Sequence, residues 1–394
     1  VSEDNAALLR RLLPVLIVIS MIGPLALNIL QPSLPGLAVY LDAPREKVQL
    51  ALSLFLGAQA VSQLFVGGLA DRFGRRPVLL VSLALYVAAS IAAAFATSIL
   101  LLVLARVAQA AGSTAGLTIS RTVVRDLSPR ETAASMIGYV TMGMVVAPLV
   151  APALGGLLDD TFGWRAIFTV CAALGIIAAT ASFMLLPETR PASIIGQGTA
   201  EMLARSREVL RNPRFMSYAL GSSFTSAVFF TFLGGAPYLV VDAMGLPKTT
   251  YGLWFICLSG GYMLGNFCSG RFSVRYGLDR MIRIGNLMNM AGVAIMLALA
   301  VAPVMHPAAI FLPNMLMSIG NGFLLPNAVA GAVSVEPRAA GAAAGMTGFL
   351  QMGMGAMGSY VAGLVTGASQ LPLALMMFGL SVAAWLVLER VRAG

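Results

Sequence analysis

The sequence predicts an all-α membrane protein with twelve transmembrane helices in two related six-helix bundles. Three observations predict it. Of the 394 residues, 58% are hydrophobic and only 10% charged, whereas soluble domains carry roughly 25% charged residues, so a water-borne surface cannot be built. Apolar runs of about 20 residues, the length a helix needs to cross a bilayer, recur along the whole chain. The basic residues gather in alternate loops between those runs.

Charge clusters, Pro and Gly bound the runs at about 13–39, 48–69, 77–97, 99–124, 132–158, 164–186, 214–241, 249–272, 282–302, 308–333, 340–366 and 370–389. Helices are required because a strand edge leaves backbone groups unsatisfied in hydrocarbon, and the runs lack the alternation of a membrane barrel. The first run begins after Arg10 and Arg11, is too long for the apolar core of a leader peptide, and is expected to stay as an anchor. Arg72/Arg75/Arg76, Arg121/Arg125/Arg130, the stretch from Arg190 to Arg214, Arg271/Arg275/Arg280/Arg283, Arg338 and Arg390/Arg392 fall on one side with Arg10 and Arg11. The positive-inside rule makes that side cytoplasmic, with both termini on it. The formal net charge of +9 is then topological, and nucleic acid is not an expected partner.

Residues 188–213 are the longest polar stretch, and Glu201 to Arg211 has amphipathic helical spacing. The expected organisation is a six-helix bundle over 1–187, a cytoplasmic linker over 188–213 and a second bundle over 214–394. Gly67/Arg72/Phe73/Gly74 recurs as Gly270/Arg275/Tyr276/Gly277 in the loop after the second run of each half, which points to a duplicated unit. Parallel repeats of this kind build transporters with a site between the halves. Cys171, Cys257 and Cys268 lie in apolar runs without metal-ligand spacing. No nucleophile–base pair or phosphate-binding glycine loop is present, so an enzyme is not expected, and neither a metal nor a cofactor is called for.

The loop after the second run reads Gly67-Gly68-Leu69-Ala70-Asp71-Arg72-Phe73-Gly74-Arg75-Arg76, which resembles the G-x-L-A-D-R-x-G-R-R signature of the major facilitator superfamily. Arg106, Gln109, Ala110 and Gly112 resemble its second motif. Gly143, Pro148, Pro152, Gly155 and Gly156 in the fifth run are similar to the antiporter motif of its twelve-span drug exporters, with Ala147 where Gly is usual. Together with Phe162-Gly163-Trp164-Arg165, Leu186-Pro187-Glu188-Thr189 and Pro326-Asn327-Ala328, the pattern resembles the bicyclomycin and chloramphenicol resistance (Bcr/CflA) subfamily over nearly the whole chain. The resemblance implies the major facilitator fold and export of small amphipathic drugs by proton exchange. It implies that Asp71, Arg75 and Asp126, beside Arg72, Arg76 and Arg125, form a cytoplasmic charge latch. It also makes the span-5 glycines and prolines an interface hinge. Val274 stands at the position of Asp71 in the second half, so no symmetric latch is expected there.

None of the 16 acids falls near a span's midpoint. Relatives carry D-x-Y-L-P-A-x-P in the first run, whose Asp is the suspected proton carrier. Here the stretch is Asn28-Ile29-Leu30-Gln31-Pro32-Ser33-Leu34-Pro35. Asn28 cannot titrate, though it donates and accepts hydrogen bonds. His306 is the sole histidine and falls in an outer loop. Arg106 is the one charge read as deep in a run, and an unpaired cation there costs about 2.5–3.5 kcal/mol. It must therefore face carbonyls, amides such as Gln109, Asn28 and Gln31, or a substrate. The substrate cavity is expected to comprise Asn28, Gln31, Arg106, Gln109, Tyr139, Phe230, Tyr238, Tyr262, Asn266, Asn327 and Gln351.

The function expected is alternating-access export of small neutral or anionic amphipathic molecules from the bacterial inner membrane. The protein would act as a multi-pass monomer in the lipid bilayer, with the proton gradient as energy source. Without a midplane carboxylate, coupling falls to Asp71 or Asp126. An uncoupled or anion-exchange facilitator of a metabolite is the alternative, and a transport-inactive sensor or scaffold the third reading.

Overall fold

The computed structural model describes residues 3–128, 130–190, 207–302, 304–336 and 339–390. Among the described residues thirteen α-helices have both ends placed, in chain order: α1 (Glu3–Ile29), α2 (Leu34–Tyr40), α3 (Arg45–Phe73), α4 (Arg75–Ala94), α5 (Ile99–Leu127), α6 (Arg130–Phe162), α7 (Arg165–Leu185), α8 (Pro213–Pro237), α9 (Lys248–Tyr276), α10 (Leu278–Val301), α11 (Pro307–Val335), α12 (Ala340–Val365) and α13 (Leu371–Arg390). No strand occurs among the described residues.

All but α2 are 20 residues or longer, and ten segments are long and apolar enough to cross a membrane. The two long helices that fall short are α9 and α12. Both have the length, but Gly, Ser and Asn in α9 and the Gly-rich sequence of α12 dilute their hydropathy. The first apolar run is not one rod: α1 ends at Ile29, a single 3-10 turn covers Gln31–Ser33, and α2 resumes at Leu34. Pro32 and Pro35 interrupt it, each lacking the N–H that continuation needs. Residues 201–206 of the expected linker helix, and Arg338 and Arg392, lie outside the described residues.

Polar caps start the helices where the chain turns. Asn212 accepts from the N–H groups of Arg214 and Phe215 at 3.0 and 3.3 Å, and His306 Nδ1 accepts from Ala308 N at 3.1 Å. Side-chain acceptors of this kind satisfy the orphan donors of a first turn. His306 is thus a cap at the start of α11.

The neighbour pairs of the first half recur in the second. α1 packs on α5 and α6, α3 on α5, and α4 on α5 and α7; correspondingly α8 packs on α11 and α12, α9 on α11, and α10 on α11 and α13. Between the halves, the main partners are α3 with α12 and α6 with α9. One large core runs through both halves, including Ile29, Leu30, Phe55, Tyr238, Tyr251, Phe255 and Phe311. A smaller core of Phe215, Tyr218, Ile282, Leu324, Ala328 and Ala343 belongs to the second half alone.

Candidate functional site

The short connection at Gly74 joins α3 to α4. Its φ of +104° lies where L side chains are strained, and a Cβ would strike Glu188 Oε2. Arg75 is buried behind this turn; its Nη1 donates to Asp71 Oδ1 at 2.5 Å and its Nε to Asp126 Oδ2 at 3.4 Å. Glu188 holds the other side, Oε1 accepting from Arg75 N at 2.9 Å and Oε2 from Arg76 N at 3.2 Å. Burial alone would push the Glu188 carboxyl up, but the backbone N–H groups of Arg190, Arg75, Arg76 and Thr189 together hold it below the usual carboxylate range. Arg190 Nη1 donates to the Arg72 carbonyl at 2.6 Å. The structure therefore brings Asp71, Arg75 and Asp126 together, turns the Arg76 Nη2 to the Phe183 carbonyl at 2.8 Å, and leaves Arg72 and Arg125 exposed. In the second half Gly277 repeats the positive φ, at +79°, while Val274 is 94% exposed.

Arg106 is sealed inside the first half. Its Nη1 donates to the Ala26 carbonyl at 2.8 Å and to Gln109 Oε1 at 2.6 Å, its Nε donates to the Ala51 carbonyl at 3.3 Å, and its guanidinium carbon lies 3.9 Å from the Phe55 ring centroid. Gln109 Nε2 continues to Ser90 Oγ at 2.8 Å, which donates to the Tyr86 carbonyl at 2.7 Å. Three helices, α1, α3 and α5, thus meet on one guanidinium that is 1% exposed, and α4 joins them through Gln109. Of the three amides expected around it only Gln109 touches it. Asn28 and Gln31 bond to each other instead, at 2.8 Å.

The contacts across the two halves cluster at the end remote from Gly74. Tyr251 of α9 donates to Gln31 Oε1 at 3.1 Å, Tyr238 donates to Gln49 Oε1 at 3.2 Å, and Gln49 Nε2 donates to the Ser359 carbonyl of α12 at 2.7 Å. Lys248 Nζ stands 3.0 Å from Asp159 Oδ2. Ser259 donates to the Pro148 carbonyl at 3.1 Å, a carbonyl that opens onto the seam where α6 carries its prolines. The glycines of α6 set the approach. A Cβ on Gly143 would lie 2.9 Å from the Ile17 carbonyl, one on Gly155 would strike the Ile29 carbonyl, and one on Gly156 would lie 2.6 Å from the Lys248 carbonyl. Small residues allow such backbone contact in membranes. Gly143 and Gly155 close α6 on α1, and Gly156 closes it on α9; Pro152 has its carbonyl beside Gly252.

The remaining expected cavity residues divide. Asn327 Nδ2 donates to Ser269 Oγ at 2.7 Å within the second half, and Asn266 Nδ2 donates to the Tyr262 carbonyl of its own helix at 2.9 Å. Phe230 packs edge-on to Phe229 beneath Gly355, whereas Tyr139 is exposed. Gln351 Nε2 is buried without a hydrogen-bond partner.

This arrangement has known counterparts. The Major Facilitator Superfamily model matches residues 16–359. The chain belongs to that superfamily. Multidrug resistance protein D of Escherichia coli is 31% identical to it over 96% of this chain and 95% of its own. The bicyclomycin resistance protein homolog of Haemophilus influenzae is 27% identical over 88% and 87%. Among solved structures, the partially occluded inward-open xylose transporter XylE of E. coli superposes with a TM-score of 0.76 at 12% identity, covering 98% of both chains. A bacterial homolog of the human lysosomal transporter Spinster superposes at 0.70 and 17% identity, covering all of this chain and 96% of its own. The chain is a multi-pass membrane transport protein of the superfamily and not an enzyme.

Four residues are prominent in the structure without a distinctive signal in the sequence: Glu188, Asp160, Thr249 and Arg121. Glu188 stands only as part of a motif, Asp160 falls between the fifth and sixth runs, Thr249 opens the eighth run, and Arg121 belongs to the basic cluster at the end of the run 99–124. Arg121 lies inside α5, two turns before its end.

Proposed function

We propose that this transporter exports small neutral or anionic amphipathic molecules by alternating access, and that the described conformation is closed at the Lys248 end and admits cargo from the Gly74 end. The clustering of the inter-half bonds at the Lys248 end carries the reading. The separate core of the second half near Tyr218 supports it, because helices whose cores do not merge can part. Taking the arginine-rich Gly74 end as cytoplasmic makes the direction outward from the cell, across a bacterial inner membrane, through twelve spans in two bundles that rock as units. The names of the two resistance-protein relatives favour drug-like cargo.

Proton exchange is the energy source we propose, with Asp71 and Asp126 as coupling acids that exchange Arg75 as the halves move. Asn28 favours a second reading, uncoupled or anion-exchange passage, because it is buried and held by Gln31 and the Pro24 carbonyl, 2.6 Å away, with no proton to release. Reconstituted protein loaded with bicyclomycin separates the two. Concentrative uptake that collapses with the pH gradient supports coupling; uptake indifferent to the gradient overturns it. Gain of gradient dependence in Asn28→Asp would mark the position at which relatives carry the proton.

A further inference from the structure

We infer that Arg121, rather than Arg106, is the cation that receives the cargo, and that it selects molecules bearing an acidic group such as a carboxylate or sulfonate. This rests on the transport reading above and assigns the site's chemical preference.

Arg106 and Arg121 differ in how many bonds their donors make and in exposure, Arg106 being buried and Arg121 half-buried. Arg106 spends its Nη1 and Nε on two carbonyls and one amide and lays its face on Phe55; its Nη2 has no partner, but at 1% exposed the guanidinium is sealed from cargo by its own bundle. Arg121 donates from Nη2 to Thr141 Oγ1 of α6 at 3.2 Å, and its Nε is buried with no partner. None of the ion pairs among the described residues includes it, and Asp126 farther along α5 is taken by Arg75. Its partner helix α6 is the one that packs on α9 of the other half. Arg121 therefore sits on the seam that alternating access must open, about 8 Å along the axis from Asp126 at 1.5 Å per residue.

A second orphan donor lies on the other inter-half contact, that of α12 with α3. Gln351 Nε2 of α12 is buried and unpartnered, and one turn before it a Cβ on Gly348 would strike Gln63 Oε1 of α3, which places this turn of α12 against the opposite half. A buried donor left unmade costs about 1–3 kcal/mol. Two such donors, one of them a full cation, call for acceptors. A guanidinium meets a planar or tripodal oxyanion with paired, charge-assisted bonds, so an acidic group is the complement.

The test uses two dyes that differ only by a sulfonate, 8-anilinonaphthalene-1-sulfonate and N-phenyl-1-naphthylamine, titrated into purified full-length protein against protein-free micelles. Arg121→Gln is expected to weaken the sulfonate by about tenfold or more, the worth of a hydrogen bond to a charged group, and to leave the neutral dye within about twofold. Arg121→Lys should retain part of the sulfonate preference. Equal loss of both dyes, or no loss of either, overturns the inference. If Arg121→Gln does not fold, Thr141→Cys in a Cys257→Ala, Cys268→Ala background serves instead. Its thiol should react several-fold faster with an anionic methanethiosulfonate than with a cationic one, as a positive local potential demands, and equal rates overturn the inference. The outcome also separates the two claims. Arg121-dependent sulfonate binding without movement of either dye in proteoliposomes refutes transport and keeps the anchor; sulfonate transport undiminished in Arg121→Gln does the reverse.

Discussion

Asp160 of α6 caps a helix of the opposite half: its Oδ2 accepts from both the backbone N–H and the Oγ1 of Thr249, at 2.9 and 2.7 Å, in the first turn of α9. Pro247, the residue in the cap position, offers no side-chain acceptor of its own. The cap therefore exists only while the halves are together at this end. Asp160→Ala should forfeit about 1 kcal/mol of closure, roughly a fivefold rise in the open population. Ser33→Cys reports it well, because Ser33 is buried and its hydroxyl has no partner to lose. Its labelling by a membrane-impermeant thiol reagent should accelerate in Asp160→Ala; an unchanged rate would show that the cap does not hold the closed state.

Asp159 and Lys248 form an ion pair beside that cap, with Lys248 also 5.4 Å from the Tyr40 ring centroid. Asp159 is buried and its Oδ1 has no partner, so removing either charge strands the other. Asp159→Asn and Lys248→Gln should each open this end, and the double mutant should recover part of the loss. A double-mutant cycle on Ser33→Cys labelling should give a coupling of about 0.5–3 kcal/mol, and strict additivity would refute the pair's role.

Two glycines of α9 make a matched experiment. A Cβ on Gly252 would strike Ala153 Cα and the Pro152 carbonyl stands close by, whereas one on Gly260 would meet nothing within 4 Å. Since backbone cannot yield as a side-chain tip can, Gly252→Ala should pry α6 from α9 and reduce transport. Gly260→Ala should leave both thiol labelling and transport unchanged. Equal effects would place the cost in helix propensity, not in the seam.

The helical architecture was legible because it follows from composition and run length alone. So was the Gly74 turn, since its repeat at Gly277 carries the same positive φ. What could not be read was which partner each buried group would take. Arg106 is held chiefly by the carbonyls of Ala26 and Ala51, and a carbonyl leaves no mark in a sequence because every residue has one. Arg121 was ambiguous for a different reason, since it falls both inside the run 99–124 and in the basic cluster at its end. Arginines that end a span and arginines that line its last turns share the same clusters, and only the helix boundary at Leu127 distinguishes them.

The two arginines should also respond oppositely to Lys. Lysine cannot reproduce the three directed bonds of Arg106, so Arg106→Lys leaves carbonyls of α1 or α3 unanswered and should destabilise by about 2 kcal/mol. It should lower the melting temperature and the yield of monodisperse protein. Arg121→Lys keeps a charge at a site with one bond to lose and should melt within a degree or two of the parent. If Arg106→Lys were the more tolerated change, the division between a structural and a cargo-facing arginine would fail.

Glu188 supplies the pH signature of the Gly74 turn. Its carboxyl is held below the ordinary value in the folded state by backbone N–H groups, which outweigh its burial. A depressed folded pKa means that the stabilisation is fully present above the unfolded value, about 4.3 for Glu, and is lost as pH falls through the lower, folded value. Glu188→Gln keeps the shape and removes the charge. Its melting temperature should lie below the parent's by a constant margin at pH 6–8, and the two curves should converge in acid, below about pH 4.3. Because Glu188 bonds the first turn of α4 and Arg75 in that turn bonds Asp71 and Asp126, the same acid range should loosen the latch. Thiol labelling of an Asp71-adjacent Ala70→Cys, buried in the parent, should quicken there for the parent and be quick at all pH for Glu188→Gln. A margin that persists unchanged into acid would mean that Glu188 contributes shape alone and that its charge does not stabilise the turn.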